Sequence, residues 1–351
     1  MRDQPQQDIE HLRAEIRFRA KLAQQHVTGD VLLPEYYAKE EHDVILRRRV
    51  DDTRRKMEEL AQLGVQLSPF LELGAERGQR SLVLTNDFGA EGVAADISYH
   101  QLKTMEHFAE LFGMTRLPAR ICCDATTLPF RTETIPFVFA YQFLHHFPSP
   151  APVIREIHRV MADGRFYFAE EPYRRLVKVA LYSRKRSARA RSGIRGNRYI
   201  QLIESFISSE TSEETDHGII ENDEISLGAW IEGLSIFDEW KGHLSSIYDI
   251  ASPVRNRIAA RNLPNWLLGG LIEGLCRKRG GASPRTIAES FACPDCTTTA
   301  PDGRLDRPPV TPVPGGYRCS MCDTTYPDRD GIIFLLPRAM LAALYPEFAA
   351  T

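Results

Sequence analysis

The sequence predicts a doubly wound α/β fold with a mostly parallel sheet, followed by a small metal-stapled unit. Three observations carry this reading. Between 67 and 170, short apolar runs alternate with helical stretches, and the runs stop at an acid or a glycine. A glycine-containing turn joins the first run to the first helix. Near the C-terminus, two Cys-x-x-Cys pairs stand 22 residues apart.

Residues 1–66 read as a helical extension. Val50, Met57, Leu60 and Leu63 keep one apolar face between charged runs such as Arg47-Arg48-Arg49. The first strand is Phe70 to Leu73, ending at Gly74, with a helix from about Gly78. The second is Gly92 to Ala95, ending at Asp96, with a helix over Tyr99 to Phe112. The third is Arg120 to Cys123, ending at Asp124. The fourth is Pro136 to Tyr141, followed by a helix over Pro152 to Met161. The fifth is Arg165 to Ala169, ending at Glu170. Right-handed crossovers place the C-terminal ends of such strands on one edge, where ligands bind near the switch in strand order. Beyond this region a helix is expected near Leu227 to Trp230, a strand over Ile236 to Leu244 and a helix over Pro264 to Arg277. A linker follows at 279–284. The expected units are 1–66, a domain over 67–287 with an insertion at 173–225, a metal unit over 288–338, and a tail over 339–351.

Composition narrows the function classes. Across 351 residues the net charge is −3, which argues against a wholesale nucleic-acid or membrane binder. No apolar run reaches the roughly 20 residues of a membrane span. The N-terminus, Met1-Arg2-Asp3-Gln4, lacks the apolar stretch of a secretory signal. The expected compartment is the cytoplasm, where paired cysteines read as metal ligands.

The turn Glu72-Leu73-Gly74-Ala75-Glu76-Arg77-Gly78 lets backbone N–H groups approach a ligand and points a helix N-terminus at an anion. It is not a nicotinamide fingerprint, because the Gly-x-Gly-x-x-Gly places read Gly74, Glu76 and Gln79. Asp96 lies 22 residues after Gly74, where a carboxylate can accept ribose hydroxyls.

The stretch 70–170 resembles class I S-adenosylmethionine (SAM)-dependent methyltransferases of the type 11 group, which includes ubiquinone and menaquinone enzymes. The resemblance rests on Glu72-Leu73-Gly74, Asp124-Ala125 with Leu128-Pro129-Phe130, Phe137-Val138, His145-His146, Glu156, Arg159-Val160 and Asp163-Gly164. It implies a Rossmann-like sheet. It also implies that Glu72, Gly74 and Gly78 hold the methionine part of SAM, and that Asp96 with Ile97 holds the ribose. Asp124 and Ala125 would face the adenine, and Tyr141 and Gln142 would line the sulfonium. The family usually has a glycine where Glu76 stands. A carboxylate there either repels the carboxylate of SAM or meets its ammonium, and the sequence leaves both open.

His145 and His146 follow the fourth strand and are the candidate catalytic residues, with His217 and Glu171 behind them. The expected activity is methyl transfer to an unidentified acceptor, a small molecule being favoured. Ten Lys or Arg residues and no acid lie between 173 and 198, so arm 174–198 suits phosphate groups on a small molecule or on RNA. An acidic run at 210–224 is the alternative partner of that charge. Two other classes are an RNA methyltransferase and a non-catalytic SAM-fold binding protein.

Cys293, Cys296, Cys319 and Cys322 supply four thiolates, which suits a structural zinc with no open coordination position. Together with Tyr326-Pro327 and Asp330-Gly331-Ile332-Ile333-Phe334-Leu335-Leu336, they resemble the small zinc-ribbon activator of tRNA, rRNA and translation-factor methyltransferases. That resemblance implies a docking or stabilising role for the unit.

Overall fold

A computed structural model describes residues 4–28, 39–174, 182–185, 208–211, 222, 225–245, 257–259, 271–281, 286–299 and 303–349. Most of arm 174–198, most of the acidic run at 210–224 and His217 lie outside the described residues.

Two long helices come first, α1 (Gln4–Thr28) and α2 (Lys39–Gln62). The run Phe-Leu-Glu-Leu has both faces covered and forms β1 (Phe70–Leu73), all four residues buried. Then follow α3 (Gln79–Asp87), β2 (Gly92–Asp96), α4 (Tyr99–Lys103), α5 (Met105–Phe112) and β3 (Ala119–Cys122). The single helix expected over 99–112 divides at Thr104, whose hydroxyl donates to the Gln101 carbonyl at 2.7 Å. Next come β4 (Ile135–Tyr141), α6 (Ala151–Val160) and β5 (Met161–Pro172). Helix α6 buries Val153, Ile154, Ile157 and Val160, a stripe at helical spacing.

Strands β6 (Tyr182–Lys185) and β7 (Ser208–Thr211) form a separate parallel pair. The remaining elements are α7 (Leu227–Leu234), β8 (Glu239–Ser245), β9 (Arg257–Ala259), β10 (Leu271–Lys278) and α8 (Ile287–Ser290). A small pair, β11 (Thr298–Thr299) and β12 (Leu305–Asp306), precedes β13 (Val310–Val313), β14 (Gly316–Cys319), β15 (Thr325–Arg329) and β16 (Ile332–Phe334). Helices α9 (Arg338–Leu344) and α10 (Pro346–Ala349) close the chain.

The main sheet has the order β13-β14-β15-β16-β3-β2-β1-β4-β5-β10-β8-β9. Strands β3, β2, β1, β4 and β5 are mutually parallel, and the strand order reverses between β1 and β4. This is the doubly wound arrangement expected, with its ligand crevice at the carboxyl ends of β1 and β4.

Residues 271–278 correct the helix expected over Pro264 to Arg277. They form a strand, paired antiparallel with β5 and with β8. Ile272, Gly274, Cys276 and Lys278 alternate as the buried residues. A Cβ at Gly274 would come within 2.3 Å of the Phe168 ring, so a close strand approach decides the matter. The apolar run suggested a helix because burial on two flanks is a tertiary property. Residues 264–270 lie outside the described set.

The cysteine-bearing meander joins the sheet. β16 pairs in parallel with β3, matching Ile332 to Arg120, Ile333 to Ile121 and Phe334 to Cys122. Phe291, Cys293, Val310, Tyr326 and Ile333 share one apolar core with Ile121, Phe130 and Val138. The tail packs on a second core, where Phe334, Leu341 and Tyr345 meet Tyr99, Leu102 and Phe108.

Candidate functional site

The crevice is built from the turn after β1. Gly74 and Gly78 have φ of 65° and 67°, the left-handed region that favours glycine. Both are also crowded: a Cβ at Gly74 would come within 2.3 Å of Phe143, and one at Gly78 within 2.1 Å of Met105. Glu76, where the resemblance would put a glycine, takes φ of 48° despite its side chain. Its N–H donates to Asp96 Oδ2 at 2.8 Å, which ties the turn to the end of β2. Its carboxylate meets the Arg19 guanidinium of α1 at 3.0 Å. Burial works against that charge, but Arg19, Arg77, Arg49 and Arg80 outweigh it and hold the carboxyl down, at about 2.

Glu72 is buried under the turn and accepts from the Ser81 N–H at 3.0 Å and the Ser81 hydroxyl at 2.5 Å. Burial raises its carboxyl to about 7, against the pull of Arg80 and the two Ser81 bonds. Asp96 accepts the Ser98 N–H on Oδ1 at 2.8 Å. Burial raises it to about 6, opposed by the Ser98 and Glu76 backbone bonds. Ile97 follows, its carbonyl accepting the Tyr345 hydroxyl at 2.7 Å, and that hydroxyl accepts the Tyr99 N–H at 3.0 Å. The C-terminal tail therefore fixes the backbone just after Asp96. Asp124 accepts the Thr126 N–H at 3.0 Å and its hydroxyl, capping the short turn that begins at Ala125. Burial pushes the Asp124 carboxyl up.

Across the crevice, the Tyr141 ring carries the Arg80 guanidinium 3.9 Å above its centroid. Gln142 turns with φ of 48° and donates from Nε2 to Glu170 at 2.7 Å. Glu171 organises the next turn. Its fully buried carboxylate accepts the N–H groups of Phe143 at 2.7 Å, Leu144 at 2.9 Å and His145 at 3.2 Å. It also bonds the Nδ1 of His145 at 2.9 Å. The His146 ring lies beside that of His145, centroids 4.4 Å apart.

Glu72, Gly74, Gly78, Asp96, Ile97, Asp124 and Ala125 thus lie at or just past the carboxyl ends of β1, β2 and β3. Tyr141, Gln142, His145 and His146 follow β4. Arg19, Arg77, Gln79 and Tyr345 add to this set. Arg77 and Gln79 stand in the motif itself, but their burial is a tertiary fact. Among the described residues, the buried atoms Arg77 Nε, Gln79 Nε2 and Gln101 Oε1 find no hydrogen-bond partner. Two donors and an acceptor left over are of the chemistry that the carboxylate and ammonium of an amino acid would meet.

The second site is the cysteine cluster. The four Sγ atoms of Cys293, Cys296, Cys319 and Cys322 all lie within 4.8 Å of one another, and Cys293 and Cys322 are 3.8 Å apart. A tetrahedral ion with sulfur at about 2.3 Å needs edges of about 3.8 Å. Met321 and Cys322 direct their N–H groups at Cys319 Sγ, at 3.3 and 3.5 Å, as a thiolate knuckle requires.

Part of the chain is similar to known proteins. Residues 71–168 match the family model of a methyltransferase domain of type 11. The fold is similar to a chain of the Haloferax volcanii complex between the Trm112 methyltransferase activator and a proposed methyltransferase. That similarity is at 15% identity and TM-score 0.42, over 72% of this chain and 97% of the other. It is also similar to the YcgJ protein of Bacillus subtilis, at 15% identity and TM-score 0.38, over 66% and 100% of the two chains. An S-adenosylmethionine-dependent methyltransferase of Clostridium acetobutylicum matches at 14% identity and TM-score 0.30, over 34% and 49%. The matched segment 71–168 spans β1 to β5 of the α/β sheet. Among the described residues, no helix is long and apolar enough to cross a membrane.

Proposed function

We propose that this chain binds SAM in the crevice after β1 and transfers its methyl group to a small-molecule acceptor held over the ends of β4 and β5. The observation that carries the reading is the left-handed glycine turn tied by Glu76 N–H to Asp96, with Glu72 beneath it. Glu72, Gly74 and Gly78 would hold the methionine part, Asp96 and Ile97 the ribose, Asp124 and Ala125 the adenine edge, and Tyr141 and Gln142 the sulfonium. When bound, SAM supplies a methyl group already activated by positive sulfur. The protein's task is then alignment and exclusion of water.

His145 is the candidate base. Glu171 orients its ring through Nδ1, and in this reading the proton of an acceptor hydroxyl or amine passes to the imidazole at Nε2. His146 lies beside it as a second candidate. The cysteine cluster would hold one structural zinc, and its meander would stiffen the β3 edge that carries Asp124. In this reading the unit works as a built-in activator and extends the sheet at no cost in association entropy.

The test is a transfer screen with methyl-labelled SAM against phosphorylated and neutral small molecules and against RNA. Label in a small-molecule fraction supports the reading. Label in RNA alone gives the acceptor to the RNA alternative, and tight SAM binding without transfer gives the chain a binding role.

A further inference from the structure

Position 76 poses an electrostatic difficulty for a site that takes a carboxylate. An acid stands where the turn would otherwise present only N–H groups. The structure shows how the charge is offset. The Glu76 carboxylate is engaged by Arg19, and its backbone N–H is already given to Asp96. That N–H is therefore committed elsewhere, and the anion needs other donors.

Two such donors flank Gly78. Arg77 is only 9% exposed and Gln79 only 5% exposed. Among the described residues the Arg77 guanidinium makes no hydrogen bond, and its Nε is buried without a partner. The Phe108 ring lies 5.4 Å from it and supports the plane without taking a hydrogen bond, and the Glu76 carboxylate acts on its charge. Gln79 Nε2 is likewise buried and unpaired. Unpaired buried donors are uncommon in native folds, and these two stand on either side of Gly78 in the chain, next to the turn. The guanidinium fork matches a carboxylate, and the N-terminus of the nine-residue helix α3 favours negative charge at the same end.

We propose that Arg77 and Gln79 are the residues with which this chain holds the carboxylate of SAM, replacing the N–H that Glu76 has given to Asp96. Both are positioning and specificity residues for the cofactor. They make the carboxylate a requirement for tight binding. The inference rests on the reading of the crevice as a SAM site and goes beyond it in naming these two side chains.

The test is calorimetric, with the full chain and two ligands. SAM is compared with decarboxylated SAM, which keeps the adenosine, sulfonium and amine and lacks only the carboxylate. Wild type should prefer SAM by about 10- to 100-fold, the range for hydrogen bonds to a charged group. Arg77→Met should weaken SAM by a similar factor and change decarboxylated SAM less than about 3-fold, because only the carboxylate contact is lost. Arg77→Lys should recover part of the preference, since an ammonium keeps the charge without the fork. Gln79→Leu should lower SAM affinity by about 3- to 10-fold, again sparing the decarboxylated ligand. Affinity for decarboxylated SAM serves as the folding control in every variant. Equal losses for both ligands, or none for either, would overturn the assignment. If wild type binds neither ligand, the SAM reading itself fails, a different result from a wild type that binds both and does not discriminate.

Discussion

The Glu171 carboxylate offers the sharpest single perturbation. It is fully buried and takes four hydrogen bonds: Phe143 and Leu144 N–H on Oε1, His145 N–H and Nδ1 on Oε2. Glu171→Gln keeps the shape and can keep the Oε1 pair. It sets an NH2 group against the two remaining donors. The imidazole can change tautomer and accept, but the His145 backbone N–H cannot. The backbone bond to a charged acceptor is worth about 1.5–3 kcal/mol, and an orphaned buried donor adds a penalty of its own, so the variant should lose about 2–4 kcal/mol. That is a large share of a typical folding free energy of about 5–15 kcal/mol, yet leaves most molecules folded. Urea unfolding gives the magnitude, and amide exchange at 143–145 locates it. Glu171→Leu orphans all four donors and should cost more than the glutamine variant. A loss below about 0.5 kcal/mol with unchanged exchange at these amides would refute the argument, since one unpaired buried donor alone exceeds it.

Other consequences follow from the same contacts. Glu72 holds its proton up to about 7 when folded, against an ordinary 4.5. Between those values the unfolded chain releases a proton that the folded one keeps, so stability should fall as pH rises, by about 3 kcal/mol in all. Glu72→Gln should flatten that slope in pH-dependent melting, and an unchanged slope would contradict the assignment. Tyr345→Phe leaves the Tyr99 N–H unpaired, and the Ile97 carbonyl with the Cys122 thiol alone, and should cost about 1–3 kcal/mol in denaturant without changing metal content. Freshly purified, reduced protein should hold about one zinc per chain, as a four-cysteine site implies. Cys319→Ser or chelation should raise amide exchange through β13–β16 and also at β3, because β16 and β3 share backbone bonds. Full protection at β3 after metal loss would show that the meander does not support the sheet.

Much of this was legible in the sequence because each central strand is a short apolar run closed by a recognisable residue. Phe70 to Leu73 ends at Gly74, and the next two runs end at Asp96 and Asp124. A parallel strand buried on both faces needs only such a run, so periodicity was not required. The four cysteines were equally plain from spacing. Residues 271–278 were not, because their alternation is short and their burial depends on β5 and β8. Nor could the sequence say where β16 would pair, since a parallel partner more than 200 residues away leaves no local trace. The tail over 339–351 was expected only as an extension. Tyr345 is instead buried against the backbone that follows Asp96. Within the proposed site, Glu72, Gly78 and Asp96 stand at motif positions. Arg77 and Gln79 were read there only as turn residues, because an arginine in a turn is ordinarily solvated and its burial here beside Phe108 is set by tertiary packing.

Equilibrium dialysis with labelled SAM tests the central claim most directly, using wild type beside Gly78→Asp. At position 78 a side chain would meet Met105 and a negative charge would enter the turn. The account predicts one SAM bound per wild-type chain and none by a Gly78→Asp protein whose circular dichroism is unchanged. Absence of binding to wild type, or equal binding to the folded variant, would contradict it.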